Sequence, residues 1–463
     1  MIYKIKRTFS LFIYNLLLVI FTCVDLVKWV FALFRQALFF ALGKSLTGAE
    51  KRDWAWGQKY GLVARELFSP TTQINSVDVK TVMFHCASVG EVVAVIPLIK
   101  HLLRSSLHCD MNLQFVITTN TKTGKEQLLR LLDDSLLDKV KHCYLPIDLP
   151  WLMSSLLKQV NPDIMLIMEV ELWPNLINQC HKKQIPVCIV NARLTDKTRK
   201  GYQKVGVLAE AMIKQLQRVY ARNQTDFDNY IAMGIDNNKL TLLGNIKFDI
   251  GQADLVAAEQ LRASLNLTHR QVIIAGSSHE GEESLLVDAY KQFKTQNPHL
   301  ILIICPRHPQ RFETVFDYLN SQQLNVVKMS ESTTSNADTD VLLGDQMGQL
   351  SKLYGVCDIA FVCGSFVKRG GHNPIEAAAY AKPIIMGPHV YNNPEICHTL
   401  QSDGGLFIAN SNFEFISQIN TWLSAPESMQ DAGNKALSTL TANAGIIEII
   451  SSELLQMLDK STP

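Results

Sequence analysis

Ile359-Ala360-Phe361-Val362-Cys363-Gly364 is followed closely by Arg369-Gly370-Gly371-His372-Asn373-Pro374-Ile375-Glu376, and then by Ala377-Ala378-Ala379-Tyr380-Ala381. The first run is apolar without a break, so it reads as a strand buried on both faces; the last reads as a helix. Two adjacent glycines sit at the turn between them, where the backbone must come close to something. Asn373 suits an N-cap, Pro374 the first helical position and Glu376 the third, which together spell a capping box. Free N–H groups behind a Gly-Gly turn also suit an anion, because the positive end of the helix dipole faces the ligand. Taken alone, the segment supports a plain helix cap as well as a binding site.

The same strand–turn–helix unit recurs along the chain. Strands are expected at Thr81–Cys86, Leu113–Thr118, Lys141–Leu145, Asp163–Met168, Pro186–Val190 and Arg218–Ala221. The pattern restarts with Gln271–Ala275, Leu300–Cys305, Leu324–Met329, Val341–Leu343, Asp358–Val362, Pro383–Met386 and Leu406–Ala409. Continuous apolar runs alternating with helical segments predict parallel sheets covered on both faces. The restart falls after Leu243-Gly244-Asn245-Ile246-Lys247-Phe248-Asp249. The fold class is therefore α/β, with two Rossmann-like, doubly wound domains, residues 45–250 and 251–463, facing each other across a cleft. A C-terminal helix from about Ile446 to Asp459 can pack back on the first domain.

At 463 residues the chain is too long for one ordinary core. A net charge of +1, with no long basic or acidic block, argues against nucleic acid as a partner. The ten cysteines form no CxxC pair, and most lie in apolar runs, so they read as small buried hydrophobes. The twelve histidines make no HExxH pair, so neither a metal nor a resident cofactor is expected. No GxGxxG follows a strand and no GxxxxGK[ST] is present, which weakens dinucleotide and P-loop readings. Asp338-Thr339-Asp340 spells DxD inside the polar stretch Ser330–Asp340, a surface loop, and is read as chance.

Residues 1–44 differ from the rest. Phe9–Val24 is almost wholly apolar, interrupted by Ser10, Asn15 and Thr22; Trp29–Leu42 carries Arg35, with Asp25, Lys28 and Arg35 forming a polar seam. This segment is expected to be a membrane anchor that crosses once, dips in and returns, or lies in the interface. The distribution of lysine and arginine leans toward a cytoplasmic main body.

Several strand ends carry chemistry-bearing residues, at the edge where parallel α/β sheets bind ligands. Glu91, in Ala87-Ser88-Val89-Gly90-Glu91, can act as a general base or merely complement a helix dipole. Glu169 and Glu171, in Met168-Glu169-Val170-Glu171-Leu172-Trp173-Pro174, can bind hydroxyls, support developing positive charge, or cap a helix. Ser277-Ser278-His279-Glu280-Gly281-Glu282-Glu283 offers hydroxyls and N–H groups to a phosphate. Arg307 can pair with a phosphate or sit in solvent. Lys247 stands at the interdomain hinge, as a partner for a negative donor or as a solvated charge.

Together these segments resemble one family. SVGE, TTNTKTG, YLPIDLP, MEVELWPN, NARLT, GNIKFD, AGSSHEGEE, PRHPQRF and GSFVKRGGHNPIEAAA occur in order from about Trp54 to Pro394, as in 3-deoxy-D-manno-oct-2-ulosonic acid (Kdo) transferases. The resemblance implies the GT-B glycosyltransferase fold. It also implies transfer of Kdo from CMP-Kdo to a lipid A precursor at the cytoplasmic face of the bacterial inner membrane. It implies Glu91 as general base, and Glu169 and Lys247 as groups that stabilise the transition state. It implies a CMP site at Pro306, Arg307, Met347, Gly348, Gln349, Gly370, Gly371, His372, Asn373 and Glu376. Gln349 stands where an acid is expected. Two rival readings remain: another GT-B enzyme using a UDP-sugar, as transferase or epimerase, and a non-catalytic membrane scaffold of the same fold.

Overall fold

The computed structural model describes residues 2–41, 57, 58, 60, 79–251, 253–331 and 334–459. It divides into two compact units, Met1–Lys247 with Gly445–Pro463, and Phe248–Ala444.

The first unit is built on seven parallel strands: β1 (Val79–His85), β2 (Asn112–Thr119), β3 (Val140–Tyr144), β4 (Ile164–Met168), β5 (Val187–Ala192), β6 (Arg218–Ala221) and β7 (Leu240–Leu242). Their order is β3-β2-β1-β4-β5-β6-β7. β4 is buried at every position, which is why its sequence shows no alternation. Six of the strands match expectation. β7 is not legible beforehand, because three residues, Leu-Thr-Leu, at the sheet edge give too short a run to show a period. Helices start where polar caps allow: Ser88, Thr121, Thr195 and Asn223 each accept from a backbone N–H of the turn they open.

The second unit repeats the plan with β8 (Gln271–Ser278), β9 (Leu300–Pro306), β10 (Val326–Lys328), β11 (Val341–Leu343), β12 (Ile359–Val362), β13 (Ile384–Met386) and β14 (Leu406–Ile408). The order is β10-β11-β9-β8-β12-β13-β14, again all parallel. In each unit an apolar cluster lies on each face of the sheet.

The C-terminal helix Ile446–Leu458 belongs to the first unit, so the second ends at Ala444 and not at 463. Its apolar face joins the cluster containing Val95, Leu98 and Tyr220. Glu453 receives Arg218 Nε at 3.0 Å and the Tyr220 hydroxyl at 2.9 Å, which fixes the helix over β6. The stretch Ser330–Asp340 is partly anchored: Ser335 and Thr339 are buried, and Asp340 accepts from the Tyr290 hydroxyl at 2.6 Å. Among the described cysteines only Cys23 and Cys109 are exposed, and none forms a disulfide.

The N-terminal helix runs Ile2–Ala41. Its window Ile5–Cys23 is long and apolar enough to cross a membrane. The interruptions seen in the sequence have a reason. Arg7, Ser10, Tyr14, Asn15 and Thr22 are half-buried, whereas Phe9, Phe12, Leu16, Leu17, Ile20 and Phe21 are exposed. The polar stripe faces the first unit: Arg7 Nη2 donates to Asn178 Oδ1 at 3.0 Å, and the Tyr14 hydroxyl donates to Asp148 Oδ2 at 3.0 Å. Asn175 Nδ2 donates to Asn15 Oδ1 at 2.7 Å. Amphipathicity is thus inverted, with apolar residues outward. The seam Asp25, Lys28 and Arg35, and the side chains of Trp29–Leu42, lie outside the described residues.

Candidate functional site

In the first sheet the connections reverse between β1 and β4. Loops leaving the carboxyl ends of two such strands part from each other and open a crevice, where open α/β sheets bind ligands. Glu91 comes from the β1 side and Glu169 from the β4 side.

Glu91 is the third residue of the helix Val89–Leu107. Its Oε1 accepts from the Ser88 hydroxyl at 2.8 Å, and its Oε2 from the Ala87 N–H at 2.8 Å. Ser88 Oγ in turn accepts from the Glu91 N–H, so the cap and the acid hold each other. The side chain is almost wholly buried. Burial raises its pKa to about 7; the bonds from Ser88 and Ala87 pull it down, and the charges of Glu169 and Glu171 push it up. Two bonds leave further lone-pair sites on the carboxylate for a substrate hydroxyl.

Glu169 leaves β4 with φ +57, a left-handed conformation uncommon for a non-glycine residue. Its N–H bonds Val190 O at 3.0 Å and its carbonyl accepts from Arg193 N at 3.3 Å, so the loops after β4 and β5 fix this turn. Lys247 Nζ lies 3.6 Å from Glu169 Oε1, and Arg193 Nη1 lies 3.9 Å from Oε2. Two cations therefore serve Glu169, while among the described residues none forms an ion pair with Glu91, whose pKa stays near neutral. Burial, and then the Glu169 charge, also raise the Glu171 pKa. Asp148, in the YLPIDLP segment, plays no part here. It accepts from Asn175 N and Leu176 N at 2.8 Å each, capping the helix Pro174–Lys182 that follows the acidic loop.

In the second unit the connections reverse between β8 and β12. His279, after β8, and His372, after β12, meet with Nε2 atoms 3.0 Å apart. Their rings lie parallel to within 4°, and His308, after β9, sits edge-on to His279 at 5.7 Å between centroids. The N···N contact needs one N–H and one lone pair, so the two rings cannot both carry a proton at Nε2. Burial first, and then surrounding cations including Arg307 and His308, push the pKa of each down to about 4. A site with unsatisfied positive potential of this kind suits an anion. Sequence reasoning singled out Arg307 and His372 and missed His279 and His308; the signal available was their position after β8 and β9.

Two expectations require correction. The capping box at Asn373–Glu376 does not form. The helix is Ile375–Ala379, preceded by Pro374, and Asn373 Oδ1 accepts only a 3.3 Å bond from Ile375 N. Glu376 turns instead toward Ser351 and Arg307; burial raises its pKa, and these two partners oppose the rise. That places it beside the Met347-Gly348-Gln349 segment, which leads into the helix Leu350–Val356. The glycines have a packing reason: with φ +89 and +73, a Cβ at Gly370 would fall 2.5 Å from Asn392 Oδ1, and one at Gly371 2.8 Å from Met386 Cε. The backbone comes close to its own chain.

The N–H groups after β8 and β12 are also committed internally. Glu282 is fully buried and accepts from Gly364 N at 2.8 Å, Ser365 N and Phe366 N at 3.0 Å, and His279 N at 3.2 Å. Glu283 takes the Ser278 hydroxyl at 2.7 Å and Arg311 Nη1 at 2.6 Å. A phosphate at this edge must therefore be met by side chains, not by these amides. Among the described residues no three His, Cys, Asp or Glu side chains gather as metal ligands.

A family model described as 3-Deoxy-D-manno-octulosonic-acid transferase (kdotransferase) matches residues 55–250. A second, Glycosyl transferases group 1, matches residues 256–439. The 3-deoxy-D-manno-octulosonic acid transferase of Haemophilus influenzae is 36% identical over 383 residues, covering 82% of this chain and 88% of its own. The chain belongs to the 3-deoxy-D-manno-octulosonic acid transferase family. The Kdo transferase of Bordetella pertussis is 30% identical over 372 residues, covering 79% of this chain and 84% of its own. Among solved structures, UDP-GlcNAc 2-epimerase from Neisseria meningitidis has a TM-score of 0.55 at 15% identity, covering 82% of this chain and 100% of that one. That likeness concerns the fold, which is GT-B. As a Kdo transferase, the chain is a glycosyltransferase.

Proposed function

We propose that this protein transfers Kdo from CMP-Kdo to a lipid A precursor, with Glu91 as the general base. The observation that carries the reading is a buried carboxylate raised to about 7 at the β1 strand end of a Kdo transferase chain. At that pKa about half of it is ionised at pH 7, and the ionised form is basic enough to take a hydroxyl proton. The acceptor oxygen attacks the anomeric carbon as its proton passes to Glu91. The bond from that carbon to the CMP phosphate breaks, and CMP leaves with the electron pair. Glu169, held by Lys247 at 3.6 Å, faces the positive charge that develops on the sugar, and Lys247 balances the carboxylate of Kdo.

In this reading the second unit holds the nucleotide through Pro306, Arg307, Met347, Gly348, Gln349, Gly370, Gly371, His372, Asn373 and Glu376, together with His279 and His308, which lie against His372 and each other. Arg307 and the histidines receive the phosphate. Glu376 meets the ribose. Glu376→Gln should weaken CMP binding about tenfold, as loss of one charge-assisted hydrogen bond does. Unchanged affinity by calorimetry would confine Glu376 to its contact with Ser351.

The inverted helix suits a protein lying on a bilayer, at the cytoplasmic face of the inner membrane, where a soluble donor can reach a lipid acceptor. Phe12→Arg combined with Leu16→Arg should move the protein from the vesicle pellet to the supernatant in co-sedimentation. Continued pelleting would show that these residues do not face lipid. The activity itself is tested by incubating the full chain with CMP-Kdo and a lipid A precursor and reading products by mass. Consumption of a UDP-sugar in place of CMP-Kdo would favour the rival enzyme, and no transfer at all the scaffold.

A further inference from the structure

A cavity of ≈ 530 Å³ lies in the first unit, next to the acidic loop and without Glu91 or Glu169 in its lining. Tyr14 of the N-terminal helix forms one wall, and Leu172-Trp173-Pro174, running on from the acidic loop, another. Tyr202, Leu208 and Met212 complete it, with Gly201 at one side. Among the described residues Glu171 is its one charged lining residue. We propose that this cavity receives an acyl chain of the lipid acceptor, an inference that rests on the lipid-acceptor reading above.

The chemistry of the lining selects the occupant. Its polar members are few, chiefly Glu171 and Thr198, so a sugar or nucleotide here would leave most of its hydroxyls unpaired against Leu172, Pro174, Val205, Leu208 and Met212, which is costly. A hydrocarbon chain would not, and the volume lies within the usual range for a bound small molecule. The position of the cavity points the same way. Tyr14 is one helical turn from Leu17, on a helix whose other face is the exposed row Phe9, Phe12, Leu16 and Phe21. Elsewhere in the lining the Tyr202 hydroxyl donates to Val170 O at 3.0 Å, inside the loop that carries Glu169. The cavity therefore bridges the apolar helix and the acidic loop. A chain seated there gains little free energy relative to the bilayer it left, because both are apolar. Its effect is positional, holding the acceptor head group in one register, so it acts on reaction with the acylated substrate.

Gly201 supplies the test. A Cβ there meets no atom within 4 Å, and its φ is not in the left-handed range. It lies in the helix Asp196–Lys204, where phenylalanine is also a better helix former than glycine. Gly201→Phe should thus fill the cavity without straining the backbone. The full-length enzyme in detergent micelles is expected to lose at least tenfold in kcat/KM for the acylated precursor. CMP binding and transfer to the deacylated disaccharide should be unchanged. An acceptor with a diazirine near the end of an acyl chain should label Tyr202, Leu208 or Met212 in the wild type and not in Gly201→Phe. Equal loss on both acceptors, no loss on either, or labelling confined to other surfaces would overturn the proposal. Wild-type enzyme that transfers no Kdo would instead sink the functional reading, while the labelling pattern would still decide the cavity.

Discussion

Replacing Glu91 by Gln should lower turnover about 10²–10⁴-fold while CMP-Kdo binding persists, since the variant keeps the size of the side chain but cannot take a proton. Steady-state transfer and calorimetric titration with CMP separate the two. The pH dependence follows from the raised pKa of about 7. The base must be ionised, so wild-type kcat/KM should fall as pH drops below about 7. Stability runs the other way. A folded pKa above the unfolded value means that the native state binds the proton more tightly. The contribution of Glu91 is full below the unfolded pKa and is lost as pH rises through 7. The variant should therefore gain in melting temperature relative to wild type between pH 5 and pH 8. Asp148, also raised to about 7 by burial, titrates in the same window, so the missing activity limb in Glu91→Gln is what assigns it. Restored activity in that variant would move the base to Glu169.

Ending the chain after Ala444 should prevent the first unit from folding. The helix so removed buries Ile446, Ile447, Ile450, Leu454, Leu455 and Leu458. At about 1.5–3 kcal/mol for each fully buried side chain, the loss is as large as the whole net stability of a typical domain, about 5–15 kcal/mol. It also leaves Arg218 and Tyr220 without Glu453. Limited proteolysis should digest residues 79–247 and spare Phe248–Ala444, which should still bind CMP. A protease-resistant first unit in the truncated chain would show that the helix is an accessory.

The strands were legible because those buried on both faces are written as unbroken apolar runs, and Arg218–Ala221 and Val341–Leu343 fall where expected. The edge strand β7 was not, although the equally short edges β10 and β14 were. Glu91, Glu169 and Lys247 were legible by position and by family motif, and the first unit brings them together. The electrostatic difference between Glu91 and Glu169 was not legible, since it depends on which cations reach each carboxylate across the fold. The Gly-Gly-His-Asn-Pro segment misled for a related reason. Its letters satisfy a local capping rule, but Ser351 and Arg307, distant in sequence, claim Glu376. The segment holding Glu282 reads as a source of free N–H groups for a phosphate, but Glu282 takes those groups itself. Its four backbone donors come mostly from the loop after β12, a contact over roughly eighty residues that no local pattern encodes.

The return of Ile446–Leu458 to the first sheet also orders events on the ribosome. The second unit is an insertion within the first, so its whole sequence has been translated before the helix that seals the earlier one exists. Domains fold as units during synthesis. Phe248–Ala444 is therefore expected to mature first, although it is encoded later. Until then the nascent first sheet waits with Tyr220 and Ile246 uncovered, a state exposed to aggregation until the helix arrives.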